Sequence, residues 1–439
     1  MKISRFFVGC GFAAAVLPTY AQQPWTLEQC CDYAVEHNIG IHQKEYQCHQ
    51  QEIQVSNALN RRLPDLNGSI GENVSFGRGL TADNTYSNTN TSSTSFSLGT
   101  SVPLFTGFEI PNQIRLSRLN LEAATQDLEK AKNDIRMQVA QSYVQVLYDM
   151  ELLEVARRQV SIDSAQVARL QTMLAMGKTS EAELSRQRAT MAQSQLTLTQ
   201  AGNNLKLELL ALTQLLELES PEGFSIERPE FAVGDGSTIA PDGIFTLALA
   251  TRPEIQSEQL RLQAAERNID IARAGFFPTL SFSAGLGTNY YTTSGFKSES
   301  FGKQLKNNFN QYLGLNLSIP IFNRFQTRNS IRTAKLSYQN QQLVLDNAKK
   351  TLYKEVQQAW YNTVAAQGKL RSSQEARQAS DDAFRLTQAK YEQGRATITE
   401  FNEAKNNLMK TESDLTQARY EYLYQTALLK FYRGEPLRF

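Results

Sequence analysis

Cysteine is scarce, and what there is builds no framework. Cys10 lies near the start of the chain, and Cys30, Cys31 and Cys48 fall in one stretch that reads as helical. On a continuous helix Cys30 and Cys48 would stand roughly 27 Å apart at 1.5 Å per residue, far beyond bridging distance. Long apolar runs are also missing: after the first residues nothing approaches the roughly 20 apolar positions that a membrane-spanning helix needs. A helical anchor is therefore excluded. Charge of one sign is not in excess either. Removing Lys2 and Arg5 with a leader leaves 43 basic residues against 44 acidic ones, a net charge of −1, which gives nucleic acid nothing to recognise. No Gly-x-Ser-x-Gly, Walker loop or His-Glu-x-x-His motif occurs, so the chain reads as no enzyme, and no cofactor is expected.

The first residues carry an export signal. Lys2 and Arg5 form a basic start, Phe6 to Leu17 a short apolar core, and Thr19-Tyr20-Ala21 a small-residue cleavage site, so residues 1–21 read as a signal peptide. Phe7-Val8-Gly9-Cys10 offers a lipoprotein alternative, with Cys10 lipidated. A mature chain of this length would ordinarily hold two or three domains. Here it holds one unit written twice.

Val102-Pro103-Leu104-Phe105-Thr106-Gly107-Phe108 and Ile319-Pro320-Ile321-Phe322-Asn323-Arg324-Phe325 stand 217 positions apart, and the same offset pairs Met176-Gly177-Lys178 with Gln393-Gly394-Arg395. Apolar heptads flank both glycines. Leu184, Met191, Leu198, Leu205 and Leu212 follow the first, and Phe401, Leu408, Leu415, Tyr422 and Leu429 follow the second. Steps of seven over that length specify left-handed coiled-coil packing.

Ahead of each long helix the period drops to two. Ile70, Val74 and Phe76 alternate with small polar residues, as do Phe96, Leu98, Val102 and Leu104. In the second copy Leu280, Phe282, Ala284 and Leu286 alternate likewise, as do Leu313, Leu315, Leu317, Ile319 and Ile321. Each copy thus holds one hairpin, with Gly79 to Ser93 and Tyr291 to Gln311 expected as exposed loops. One apolar and one small polar face suit a membrane barrel with a wet lumen; half of a soluble sandwich is the bland alternative. Phe105, Phe108, Phe322 and Phe325 suit an interfacial girdle.

Four strands cannot close a barrel, and an open edge cannot sit in lipid. Two copies give a filled eight-stranded barrel and three give twelve strands with room for a pore, so a homotrimer embedded in outer-membrane lipid is expected. The fold class is mainly α with membrane β: long coiled-coil hairpins forming an α-barrel, plus four strands per chain in a twelve-stranded β-barrel. The expected organisation is a first repeat over 22–230, with hairpin 64–105 and helical hairpin 108–218. The second repeat spans 231–439, with hairpin 278–322 and helical hairpin 325–432.

The whole mature chain resembles the TolC family of outer-membrane efflux proteins. The likeness rests on Thr26-Leu27 with Ala34 and Asn38, on Ala248 to Ile255 containing Arg252-Pro253-Glu254, and on Pro64 and Pro278 before the strands. The Pro-Leu-Phe and Pro-Ile-Phe strand ends and Tyr391-x-x-Gly394 with Thr397 and Glu400 complete it. The resemblance implies a trimeric barrel continued by a helical tunnel that reaches from the outer membrane into the periplasm and docks a periplasmic adaptor and an inner-membrane transporter. It also implies a narrowed tip at the turns of Gly177 and Gly394, with Glu400 and Glu403 as rings of carboxylates facing the lumen. Both glutamates also suit the first turn of a helix as dipole partners. A closing bond between Tyr391 and Glu183 is implied too. The basic partner expected at 396 is Ala396, so Arg395 would substitute from next door. Tyr391 also ends a heptad run, which suits plain packing. His42, Glu45, His49 and Glu52 share one helix stripe, a metal-site pattern that is also common on polar faces. The function expected is export of small molecules such as drugs, dyes or metal ions. A polypeptide secretion duct and a non-conducting coiled-coil surface protein are the alternatives.

Overall fold

The computed structural model describes residues 24–80, 83–229 and 240–439; the signal peptide at 1–21 and Cys10 lie outside the described residues. The helices are α1 (Leu27–His37), α2 (Ile39–Asn60), α3 (Glu109–Ala175), α4 (Glu181–Leu215), α5 (Pro241–Thr251), α6 (Pro253–Ala274), α7 (Phe301–Asn307), α8 (Gln326–Glu392) and α9 (Ile398–Tyr432). The strands are β1 (Asn67–Leu80), β2 (Tyr86–Thr106), β3 (Thr279–Thr293) and β4 (Asn310–Ser318). The duplication is exact in the long helices: α3 and α8 both have 67 residues and α4 and α9 both have 35, each pair 217 positions apart. At 1.5 Å per residue α3 and α8 are rods of about 100 Å.

The four strands form one antiparallel sheet in the order β1-β2-β3-β4, so β2 and β3 join the two repeats while β1 and β4 each keep an unpaired outer edge within the chain. Register keeps the two faces apart. Ile70 stands beside Phe96, Leu98 beside Leu286, Val102 beside Phe282 and Phe282 beside Leu315. On the other face Ser69 meets Ser97, Ser101 meets Ser283 and Ser281 meets Asn316. Leu313 and Leu315 are 79% and 69% exposed on the single chain, which fits lipid and not water.

Three expectations need correction. The first hairpin loop is much shorter than 79–93, because β2 begins at Tyr86 and pairs with β1 through Leu80. Residues 86–95 are polar on both faces, so they lack the apolar alternation that betrays a strand. The second connection is not all loop: β3 runs on to Thr293, α7 follows, and β4 begins at Asn310 and ends at Ser318, two residues before Pro320, which has no N–H for a ladder. The helix carrying the cysteines is not continuous. Asn38 closes α1 with its N–H on the Ala34 carbonyl and opens α2 with its side-chain oxygen on the Gly40 N–H at 2.9 Å.

Strand passes to long helix through residues in the left-handed region: Gly107 and Phe108 in the first repeat, Arg324 and Phe325 in the second. A side chain at Gly107 would meet the Ala274 carbonyl at 2.7 Å, so only glycine fits that turn. The aromatic rings cluster here, Phe105 on Phe108 at 5.3 Å and Phe322 on Phe325 at 5.4 Å, both edge to face.

Two equivalent cores hold the helices. Leu27, Ala34 and Val139 are buried in the first, and Ala248, Ile255 and Val356 in the second. Burying each large aliphatic side chain is worth about 1.5–3 kcal/mol. Cys30 and Cys31 pack into the first core, where burial pushes both thiols up to about 12, leaving them inert.

Candidate functional site at the helical tip

Each long helix ends in the same device. The Lys178 N–H reaches back to the Met173 carbonyl and the Gly177 N–H to that of Leu174, both at 2.9 Å. Arg395 repeats the first bond on Lys390 at 2.8 Å and Gly394 the second on Tyr391 at 3.0 Å. These are Schellman closures, and they place Gly177 and Gly394 at φ of 70° and 71°. Arg395 enters this turn through its backbone.

The next helices start on matched caps. Ser180 accepts from the Glu183 N–H and Thr397 from the Glu400 N–H, each at 3.2 Å. Glu183 and Glu400 are thus the same position of the duplicated unit, third in its short helix. Their carboxylates differ in use. Glu183 accepts the Thr179 hydroxyl at 2.7 Å, whereas Glu400 reaches back to the Thr397 N–H at 2.7 Å and completes a capping box. Those bonds from Thr397 hold the Glu400 carboxyl below its ordinary value. Glu403, one turn on, is exposed on the same helix.

Tyr391 is bonded differently from the expectation. Its hydroxyl oxygen accepts from Gln166 Nε2 at 2.5 Å; burial pushes its phenol upward, and Glu183 adds to that only as a nearby charge. The ring is sandwiched, stacked on Phe401 at 5.1 Å and capped by the Arg169 guanidinium at 4.9 Å. Tyr391 therefore packs its ring against α9 and bonds its hydroxyl to α3 at once. Gln166 precedes the expected acid by more than a dozen residues, on α3 rather than α4.

Above this contact lies a polar junction that the sequence did not disclose. Asp163 of α3 and Lys405 of α9 form an ion pair with both side chains fully buried. Asp163 also accepts from Gln187 Nε2 at 3.2 Å and from the Ser194 hydroxyl at 2.6 Å, both on α4, and Asn402 of α9 donates to Gln187 at 3.1 Å. Higher still, Glu412 of α9 receives Arg158 of α3 at 3.0 Å and lies 3.6 Å from Arg377 of α8. Tyr391, Lys405 and Glu412 therefore tie the second repeat's hairpin to the first repeat's long helix over successive turns.

The histidine stripe resolves into two separate pairs, His42 with Glu45 at 2.9 Å and His49 with Glu52 at 3.0 Å, all exposed. Among the described residues no group of three or more His, Cys, Asp or Glu side chains is placed to hold a metal ion.

Residues 33–217 and 244–435, one block in each repeat, match the family described as outer membrane efflux protein. The chain belongs to that family. Among relatives of this efflux protein, the pyoverdine export outer membrane protein OpmQ of Pseudomonas aeruginosa is 27% identical over 370 residues, covering 81% of this chain and 74% of its own. The cation efflux system protein CusC of Escherichia coli is 25% identical over 374 residues, covering 82% and 75%. The fold matches a crystal structure of CusC with a TM-score of 0.79 at 20% identity, over 93% of this chain and 92% of that one. The Vibrio cholerae outer membrane protein VceC matches with a TM-score of 0.77 at 17% identity, over 94% and 96%. This efflux protein is a transport channel of the outer membrane that extends into the periplasm, and not an enzyme.

Proposed function

We propose that three copies of the chain form the exit duct of a tripartite efflux pump that passes small molecules from an inner-membrane transporter, through a periplasmic adaptor, to the outside. The observation that carries this reading is the pair of unpaired edges on β1 and β4. The strands alternate in direction, so β4 of one copy meets β1 of the next antiparallel, and three sheets close at twelve strands. Each repeat, 22–230 and 231–439, supplies two strands and one helical hairpin, and the rods of about 100 Å continue the barrel toward the adaptor.

The turns at Gly177 and Gly394 form the far tip. Glu400 and Glu403 supply two stacked rings of three carboxylates at its narrowest point, and the capping bonds of Glu400 fix the first ring in place. Tyr391 on Gln166, with Glu183 nearby as a charge and Arg395 in the adjoining turn, holds the tip closed. Small cargo is favoured because relatives carry the names pyoverdine export and cation efflux. Deleting the gene should sensitise the host to drugs, dyes or metal ions and leave its secreted polypeptides unchanged. Loss of a secreted polypeptide with unchanged sensitivity would assign the duct to polypeptide secretion instead.

A further inference from the structure

The apolar face of the sheet ends at a second aromatic cluster, remote from the one at the helix junction. Phe301, at the start of α7, meets the Tyr290 ring at 5.1 Å and the Phe96 ring at 6.4 Å. Phe96, Leu98, Leu286 and Tyr290 share the apolar face in register, so α7 sits on the outside of the sheet. It is fastened there. Gln304, buried, donates to the Tyr291 carbonyl at 2.9 Å and accepts from the Tyr291 N–H at 3.0 Å, Asn308 donates to the Asn289 carbonyl at 2.8 Å, and Thr288 donates to the Leu305 carbonyl at 2.7 Å. These bonds take over from β4, whose pairing with β3 stops at Gly287 and Asn310.

The height of this cluster can be read from the strands. Phe105, of the lower cluster, pairs with Leu280, and Tyr290 lies ten residues further along β3. At about 3.3 Å per residue and a tilt of about 40°, that is about 25 Å, the thickness of the apolar band of an outer-membrane barrel. Helix α7 therefore stands at the far lipid–water boundary. Its inward side is Phe301, Gln304 and Leu305, and Lys303 and Lys306, three apart, share the stripe that faces away. Between β3 and β4 the chain has Lys297, Lys303 and Lys306 against Glu299 alone. Lys303 pairs with Glu299 at 2.7 Å, and Lys306 is exposed in the last turn. Phe301 reaches across the outer face to β2, away from the edge that closes the barrel.

We propose that α7 is an interfacial helix of the outer leaflet, with Phe301 at the acyl boundary and Lys303 and Lys306 binding the phosphates of anionic lipid headgroups. The inference rests on the barrel reading, so its test needs a control on the barrel wall. Phe301→Trp and Phe282→Trp variants are placed separately in vesicles of brominated phosphatidylglycerol; Trp25 and Trp360 lie in the helical body and serve as unquenched background. Both variants should be quenched. Quenching of F282W without F301W overturns the proposal and leaves the barrel standing, and silence of F301W to aqueous acrylamide as well would put α7 between subunits. In a second arm, the Lys303→Gln, Lys306→Gln variant should bind phosphatidylglycerol roughly 25-fold more weakly than wild type, at about fivefold per lysine near an anionic surface, with phosphatidylcholine binding unchanged. Equal phosphatidylglycerol binding by variant and wild type would overturn the lipid assignment.

Discussion

Lys405 of α9 donates to Asp163 of α3 with neither side chain reaching solvent. Desolvating two charges is expensive, and the pair survives because Gln187 and Ser194 satisfy the remaining lone pairs of the carboxylate. Lys405→Met alone should therefore destabilise the fold by about 3–5 kcal/mol, since it strands a buried carboxylate. Lys405→Met with Asp163→Leu should recover most of that loss. Thermal melting of the detergent-solubilised protein followed by circular dichroism checks both, and a single variant that melts with wild type would mean that water reaches the pair.

One turn nearer the tip, the Tyr391 hydroxyl has Gln166 as its partner. Tyr391→Phe removes a hydrogen bond worth about 0.5–1.5 kcal/mol while keeping the ring on Phe401 and under Arg169. The expected outcome is higher conductance in planar bilayers, with Gln166→Leu giving a similar rise and the two together giving little more. Glu183→Gln should change conductance less than either. If Glu183→Gln alone opened the channel, the acid would be the true partner.

Neutralising the proposed rings has a different signature. Glu400→Gln with Glu403→Gln should lower cation selectivity and relieve block by multivalent cations, because six carboxylates per trimer are lost from one constriction. The yield of folded trimer should hold, since Phe401 and Leu408 remain in the core. The pH dependence follows from the sign of the Glu400 shift. Its folded value lies below the ordinary 4.5, so its capping contribution is present above 4.5 and disappears only as pH falls through the lower folded value. In a Glu403→Gln background the selectivity that Glu400 supplies should accordingly survive acidification to 4.5. Unchanged selectivity in the double variant would mean that both glutamates face away from the lumen.

Phe282 and Leu315 are cross-strand partners on one face, and Ser283 and Gly314 on the other. Arginine at Phe282 or Leu315 should cost about 2–4 kcal/mol near the membrane midplane and reduce assembly in outer-membrane fractions. Arginine at Ser283 or Asn316 should be accommodated by the lumen. Equal assembly of all four variants would contradict the assignment of faces.

Much of the fold could be read because its determinants are local. Heptad positions such as Leu184, Leu212, Phe401 and Leu408 predict burial, and all four are buried. The distal strand from Tyr86 to Ser95 was illegible because above the lipid both faces of a barrel are wet, which erases the alternation. The break at Asn38 was hidden because one asparagine serves two helices at once. Lys405 and Asp163 are 242 positions apart and have no counterpart in the duplicated unit, where Arg188 is exposed, so no spacing rule points to their contact. Tyr391 stands three residues before Gly394, but its hydrogen-bond partner depends on the relative rotation of α3 and α8, which a linear sequence does not encode.

In the proposed trimer the outer edges of β1 and β4 are joined between copies to close one barrel. The most direct measurement is native mass in detergent on the same preparation that is fused to planar bilayers. A trimer that conducts through one continuous pore is the predicted result. A conducting monomer or dimer, or a trimer that seals the bilayer even with Tyr391→Phe and Gln166→Leu in place, would contradict it.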